Sequence, residues 1–189
     1  VKFITSSFEQ YNSYGIATDI GFFYNDNIND IKASLVFRNI GFQIKPYNEV
    51  NEKLPFEINM GISQKLENAP IIYHVTLENL QKWPIGISNP SRIITDLDGN
   101  ITEENISFFN EILRHTILGV ELFPESFFNI QLGYSFRRSE ELRILEQRNF
   151  SGISFGFGMK FNKLRFNYCH SRYSSASNVN FIGLQLDLN

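Results

Sequence analysis

The sequence predicts an all-β fold, an antiparallel up-and-down transmembrane β-barrel of about ten strands in a single domain over 1–189. Three observations lead there. Large apolar residues recur at every second position, the residues between them are small, amide or charged, and the connections alternate between short and long. Successive strand side chains point to opposite faces, so Leu54, Phe56, Ile58, Met60 and Ile62 share one face and Pro55, Glu57, Asn59, Gly61 and Ser63 the other. The same split sets Phe128, Ile130, Leu132, Tyr134 and Phe136 against Asn129, Gln131, Gly133, Ser135 and Arg137. It returns in Ile153, Phe155, Phe157, Met159 and Phe161 against Gly152, Ser154, Gly156, Gly158 and Lys160.

Taken in order, strands are expected at 1–6 and 13–24, joined across 7–12. The Asn- and Asp-rich turn 25–30 follows, since these side chains bond to nearby backbone and tolerate turn geometry, and leads into 31–40. A longer link over 41–53 precedes the strand that starts at Leu54, and the short turn 67–69 leads into 71–80. The segment 81–113 is the longest excursion; within it a helix is expected over 102–114, capped by Thr102, with Glu103 and Glu104 at its positive end and Ile106, Phe109 and Leu113 on one face. Strands at 115–123 and 128–137 meet across Pro124, Glu125 and Ser126, and a polar stretch over 138–149 leads to 153–161. Asn162 and Lys163 form a two-residue hairpin connection into 164–172, and 173–178 links to a last strand at 181–188. Tight turns at one end and long excursions at the other are the pattern of bacterial outer-membrane barrels, with the tight turns on the periplasmic side.

Composition narrows the function classes. A net charge of -3 with both signs scattered leaves no basic patch, so nucleic acid is not an expected partner. No apolar run reaches the roughly eighteen residues of a transmembrane helix, a criterion to which a barrel is invisible because its strands need only about nine to eleven residues each. Cys169 stands alone, and His74, His115 and His170 lie in separate segments without ligand spacing, so no metal or cofactor is expected. The chain begins at Val1 without Met, a basic stretch or a cleavage site, and an export signal is expected upstream of it.

A soluble barrel or sandwich uses the same periodicity but turns the apolar set inward. The bulk of Phe, Leu, Ile and Tyr on one face and the Gly, Ser and Asn of the other favour lipid outside and a crowded lumen inside, because a closed interior limits side-chain volume and lipid does not. Asp19, Lys32, Arg38, Glu57, Glu78, Glu121, Arg137, Lys160, Arg165 and Asp187 all fall opposite the apolar set, and Arg38, Glu57, Glu78, Glu121, Arg137 and Arg165 are the expected polar network of the lumen. His74 and Cys169 share that inward face, and His170 points outward near a strand end. Tyr14, Tyr24, Tyr73, Tyr134, Phe161 and Tyr168 lie near strand ends, as interfacial aromatic belts do.

Several segments, in order, resemble a known family. Leu35-Val36-Phe37-Arg38-Asn39-Ile40-Gly41, the run from Leu54-Pro55-Phe56 to Ser63, and Thr76-Leu77-Glu78-Asn79-Leu80-Gln81-Lys82-Trp83 are similar to the PorV/PorQ family of outer-membrane barrels. Arg114-His115, Leu118-Gly119-Val120-Glu121, Leu132-Gly133-Tyr134, Arg137-Arg138 and the stretch from Gly152 to Lys160 continue the resemblance over nearly the whole chain. It implies a FadL-like barrel of about fourteen strands, of which this chain is the C-terminal portion. It also implies a bacterial outer-membrane location and a non-enzymatic role in the type IX secretion system, anchoring a PorZ-like surface protein of that machinery. The alternative is a FadL-like transport barrel for hydrophobic small molecules.

Catalytic patterns are weak. No nucleophile elbow or paired-His motif occurs; His115 with Glu121, or Asp96 with Asp98, are the only rim pairs to consider, and His115 is expected to be a hydrogen-bonded structural residue. Asp96, Asp98 and Asn100 superficially suggest a calcium loop, but Gly99 precedes the third ligand instead of following it, so 96–100 is expected to be a turn. Partner docking is expected on the excursions 83–113 and 138–149, with Trp83, Ile94, Phe108 and Phe109 as the candidate contact residues.

Overall fold

The ladder that carries this molecule is a ten-stranded antiparallel sheet in which every strand pairs with its neighbour in sequence. It is seen in a computed structural model that describes residues 1–47, 50–87, 94–95, 101–102, 106–142, 151–172 and 177–187. The elements are β1 (Lys2–Phe8), β2 (Tyr11–Asp26), β3 (Ile31–Lys45), β4 (Glu57–Lys65), β5 (Ile71–Leu77), the two-residue strands β6 (Ile94–Thr95) and β7 (Ile101–Thr102), and α1 (Phe108–His115). There follow β8 (Thr116–Leu122), β9 (Phe128–Ser135), α2 (Phe136–Glu141), β10 (Ile153–Phe161), β11 (Leu164–Arg172) and β12 (Asn178–Leu186). β6 and β7 pair only with each other. The sheet is open: β1 and β12 are its two edges and do not pair, so the barrel expected from sequence is an up-and-down sheet without closure.

Facing residues of an antiparallel pair lie on the same side of the sheet, so the register transmits one face from strand to strand. Phe22 faces Leu35, Leu35 faces Met60, and Met60 faces Leu77. A second row runs Ile71, Leu122, Ile130, Phe157, Tyr168, Ile182. The other face carries Lys32, Ser63, His74, Gly119, Gly133, Ser154 and Ser171 in one row. Within the strands, the apolar residues of 58–62, 128–134 and 153–161 fall on a single side, and Asp19, Lys32, Arg38, Glu57, Glu121, Lys160 and Arg165 fall on the other.

The apolar side is the exposed one. Phe22, Met60, Leu118, Leu132, Phe155 and Leu184 are all exposed, whereas Ser13, Gly15, Ala17, Gly156 and Gly158 on the polar side are buried. Among the described residues only Ala17 and Ile85 are buried apolar side chains. The accessible area of 13753 Å² far exceeds the roughly 9,300 Å² of a compact monomer of this mass. Phe56, Leu132 and Phe155 are exposed and do not converge on a dry centre.

Several boundaries differ from the sequence expectation. β3 runs on through 41–45, expected to be a link, because a bulge at Asn39 shifts the parity: Thr18 faces Ile40 while Ile20 faces Phe37, leaving Arg38 and Asn39 opposite Asp19. Asn39 takes φ 57°, and Asp19 Oδ1 accepts its backbone N–H at 2.9 Å. The first connection is a tight turn at Glu9 and Gln10, not 7–12, and so breaks the rule of long connections at that end. α1 starts at Phe108, capped by Ser107, whose Oγ accepts the Asn110 N–H at 3.4 Å; Thr102, the expected cap, is paired with Ile94 instead. β9 stops at Ser135 because that side chain caps α2, which replaces the expected strand residues Phe136 and Arg137.

The bulge allows one close approach. A Cβ on Gly41 would lie 2.0 Å from the Ile16 carbonyl oxygen and 2.6 Å from the Ala17 Cα, whereas on Gly21 its nearest neighbour would be Val36 Cγ2 at 3.9 Å. Gly41→Ala is therefore expected to cost about 1–3 kcal/mol through forced backbone displacement and Gly21→Ala close to nothing, as read from denaturant midpoints. Equal midpoints for the two variants would contradict the β2–β3 register.

Candidate functional site

The turns 27–30, 66–70, 123–127 and 162–163 lie at one end of the sheet, and β3, β5, β9 and β11 end at the other. Both helices sit at the second end and touch each other. The residues that α1 buries are polar: Glu111, Arg114 and His115 are 4%, 3% and 1% exposed. The Glu111 carboxylate accepts the backbone N–H groups of Ile85 and, at 2.9 Å, Gly86. Arg114 donates to the Ile87 carbonyl at 3.2 Å and lies 3.9 Å from Glu141 of α2. His115 Nδ1 donates to the Glu78 carbonyl at 2.7 Å, and Trp83 stacks on its ring with centroids 4.3 Å apart and planes 10° from parallel. The cluster thus ties the chain leaving β5 to the helix entering β8.

Glu78, expected within a strand, lies just past the end of β5, with its N–H donating to the His115 carbonyl. Burial pushes its carboxyl above the usual carboxylate range, against the opposing pull of Arg137 and Arg138. Arg137 is likewise not a strand residue: it lies in α2 and pairs with Glu141 at 3.0 Å. The remaining network residues lie on the polar face in strands. Arg38 pairs with Glu57 at 3.2 Å, Arg165 with Asp187 at 3.3 Å, and Glu121 accepts from Asn129 at 2.6 Å with His74 Nε2 3.9 Å away. Among the described residues His115 and Glu121 are not paired, and the Glu111 carboxylate lies 4.0 Å from His115 Nε2. Asp96, Asp98 and Asn100 lie outside the described residues.

The polar face forms a hollow of about 530 Å³ across β8–β12, lined by Glu121, Gln131, Lys160, Arg165, Asn167 and Gln185 among others. No group of three His, Cys, Asp or Glu side chains is placed to hold a metal among the described residues. Of the docking candidates, Trp83 is half-exposed and packs on His115 and Phe108, Phe108 and Phe109 are exposed on α1, and Ile94 lies in β6. Glu111 and Arg114 escaped the sequence reading. Helical spacing sets Glu111 and His115 beside Phe108 and Ile112, so no local pattern marked the two charges of α1 as buried. No family model, curated protein or solved structure matches the chain.

Two substitutions test the cluster. Glu111→Ala leaves the Ile85 and Gly86 N–H groups without their acceptor; a loss of about 1–3 kcal/mol is expected, with faster amide exchange confined to 85–87 and α1. Burial disfavours ionised Glu78 in the fold but not in the unfolded chain, so the penalty is present above its folded titration range and vanishes as pH falls through it. Glu78→Gln is expected to raise thermal stability near neutral pH, with a gain that disappears on acidification; a gain independent of pH would contradict this.

Proposed function

We propose that this chain is a non-enzymatic outer-membrane component of the PorV/PorQ kind, whose strands cross the bilayer as part of a FadL-like β-barrel and whose long connections hold a PorZ-like surface protein of the type IX secretion system. The observation that carries the membrane reading is the side on which the register aligns exposed Phe22, Met60, Leu118, Leu132, Phe155 and Leu184, with Asp19, Lys32, Arg38, Glu57, Glu121, Lys160 and Arg165 on the opposite side. An exposed apolar area of this extent marks a surface that is covered by lipid or by another protein, and a lipid-facing Lys or Arg at mid-bilayer would cost roughly 2–4 kcal/mol. In lipid, the backbone groups of edges β1 and β12 need partners, which a barrel supplies by pairing them with each other or with further strands.

The secretion assignment rests on the resemblance of the segments around Arg38-Asn39, Leu54-Pro55-Phe56 and Gln81-Lys82-Trp83. The scaffold role is favoured over passage of hydrophobic molecules because the hollow on the inner face is lined by Glu121, Gln131, Lys160, Arg165 and Asn167. The tight-turn end takes the periplasmic side and the helix-bearing end the cell surface.

Adjacent residues on opposite faces test the membrane reading. Leu132→Arg is expected to destabilise the protein in vesicles by about 2–4 kcal/mol, and Gln131→Arg by much less; equal effects would sink it. Docking is tested separately: replacing 88–105 by a short Gly/Ser linker is expected to abolish co-purification of the PorZ-like partner while the protein stays in the membrane fraction. Undiminished recovery of that partner would exclude this connection as the docking element.

A further inference from the structure

We propose that α1 lies in the outer-leaflet interface of the membrane, with Phe108, Phe109 and Ile112 among lipid acyl chains and Trp83 at headgroup level. This rests on the membrane reading above. The helix is built the opposite way from a helix on a water-soluble protein: Glu111, Arg114 and His115 are its buried residues, and Phe108, Phe109 and Ile112 are exposed. A helix facing water buries its apolar stripe and exposes its charges. Here the charges are turned inward onto the backbone of 85–87 and onto Glu141, and the side left outside is apolar apart from Asn110.

The direction of that side follows from its junction with β8. Thr116, the helix C-cap, faces Leu77 on the apolar side of the sheet, and its hydroxyl donates to the Ile112 carbonyl at 2.9 Å. Thr116 itself is buried at this junction, and Leu118 and Val120, the next residues of β8 on that side, are exposed, as Phe108 and Ile112 are on the helix before it. The outward face of α1 is an extension of the outward face of β8.

Strand length supplies a reason for the extension. β5 and β8 have seven residues each, against sixteen in β2 and fifteen in β3. Seven residues extend about 24 Å along a strand, which at a tilt of about 45° covers about 17 Å of depth, short of an apolar band about 25 Å tall. The eight residues of α1 add up to about 12 Å along the helix axis, enough to close that gap. Trp83, stacked on His115 and 5.8 Å from the Phe108 ring, is the amphipathic residue suited to the edge of such a band. Assigning Trp83, Phe108 and Phe109 to lipid leaves the connection that carries Ile94 to the protein partner.

Trp83 is the only tryptophan of the chain and reports directly in phosphatidylcholine vesicles brominated either near the ester end or near the middle of the acyl chain. Its emission is expected to fall with the ester-proximal bromine. In the Trp83→Phe background, Phe109→Trp should lose emission most with the ester-proximal bromine and Leu132→Trp most with the mid-chain bromine. If the tryptophan introduced at 109 is unquenched by either lipid while that at 132 is quenched, α1 faces water or protein and the proposal is overturned with the membrane reading intact. If neither is quenched, both fall.

Discussion

The constraint on which the rest of this structure depends is the transmission of side-chain direction through backbone hydrogen bonds. In an antiparallel ladder, facing residues share a side, so the direction of one strand dictates that of the next. From Phe22 through Leu35 and Met60 to Leu77, and from Ile71 across to Ile182, the register keeps Phe, Leu, Ile, Met and Tyr together. A slip of one residue in any single pairing would place a row of apolar side chains beside Arg38, Glu121 or Lys160 and a row of charges on the apolar side. The sheet therefore has one apolar, exposed side and one side of polar pairing.

The polar side works at close quarters. Small residues let charged neighbours reach each other across strands: Asn129 reaches Glu121 beside Gly158, and Lys2 reaches both Asp19, at 2.6 Å, and Asn39 beside the bulge. The bulge itself uses an extra residue to bring Asp19 onto the Asn39 N–H, and the Asn39 side chain donates to the Pro55 carbonyl at 2.8 Å, holding the segment that enters β4. At the far end the same division is maintained by a helix, with Glu111, Arg114 and His115 turned inward and Phe108, Phe109 and Ile112 outward. Sheet and helix obey one rule of orientation although their backbone geometries differ.

Strand existence and face were legible over 57–65, 128–135 and 153–161 because period-two alternation is a local signal that neither bulge nor cap disturbs inside β4, β9 or β10. Where a backbone device intervened, the pattern misled. Alternation breaks at Arg38-Asn39, so the continuation of β3 through Phe42 to Lys45 read as a link. Phe136 keeps the apolar parity of β9, yet its backbone is helical because Ser135 caps it, and its ring packs edge-on against Tyr134 at 4.9 Å. The buried end cluster was hidden for a different reason. Glu111 and Arg114 look like ordinary surface charges on a helix, and only their backbone partners at 85–87, far away in sequence, turn them inward. Closure of the sheet is a property of β1 and β12 together, and no local pattern encodes it.

The orientation of the whole sheet is measured most directly by solid-state NMR of the protein in bilayers, as magnetisation transfer from lipid acyl-chain protons to assigned side chains. Transfer should reach Leu35, Met60, Val120, Leu132 and Phe155 and bypass Ser63, Gln131, Asn167 and Arg165, which belong to the same strands. Transfer reaching the second set as strongly as the first, or water contact dominating the first, would contradict a sheet with one lipid-facing side.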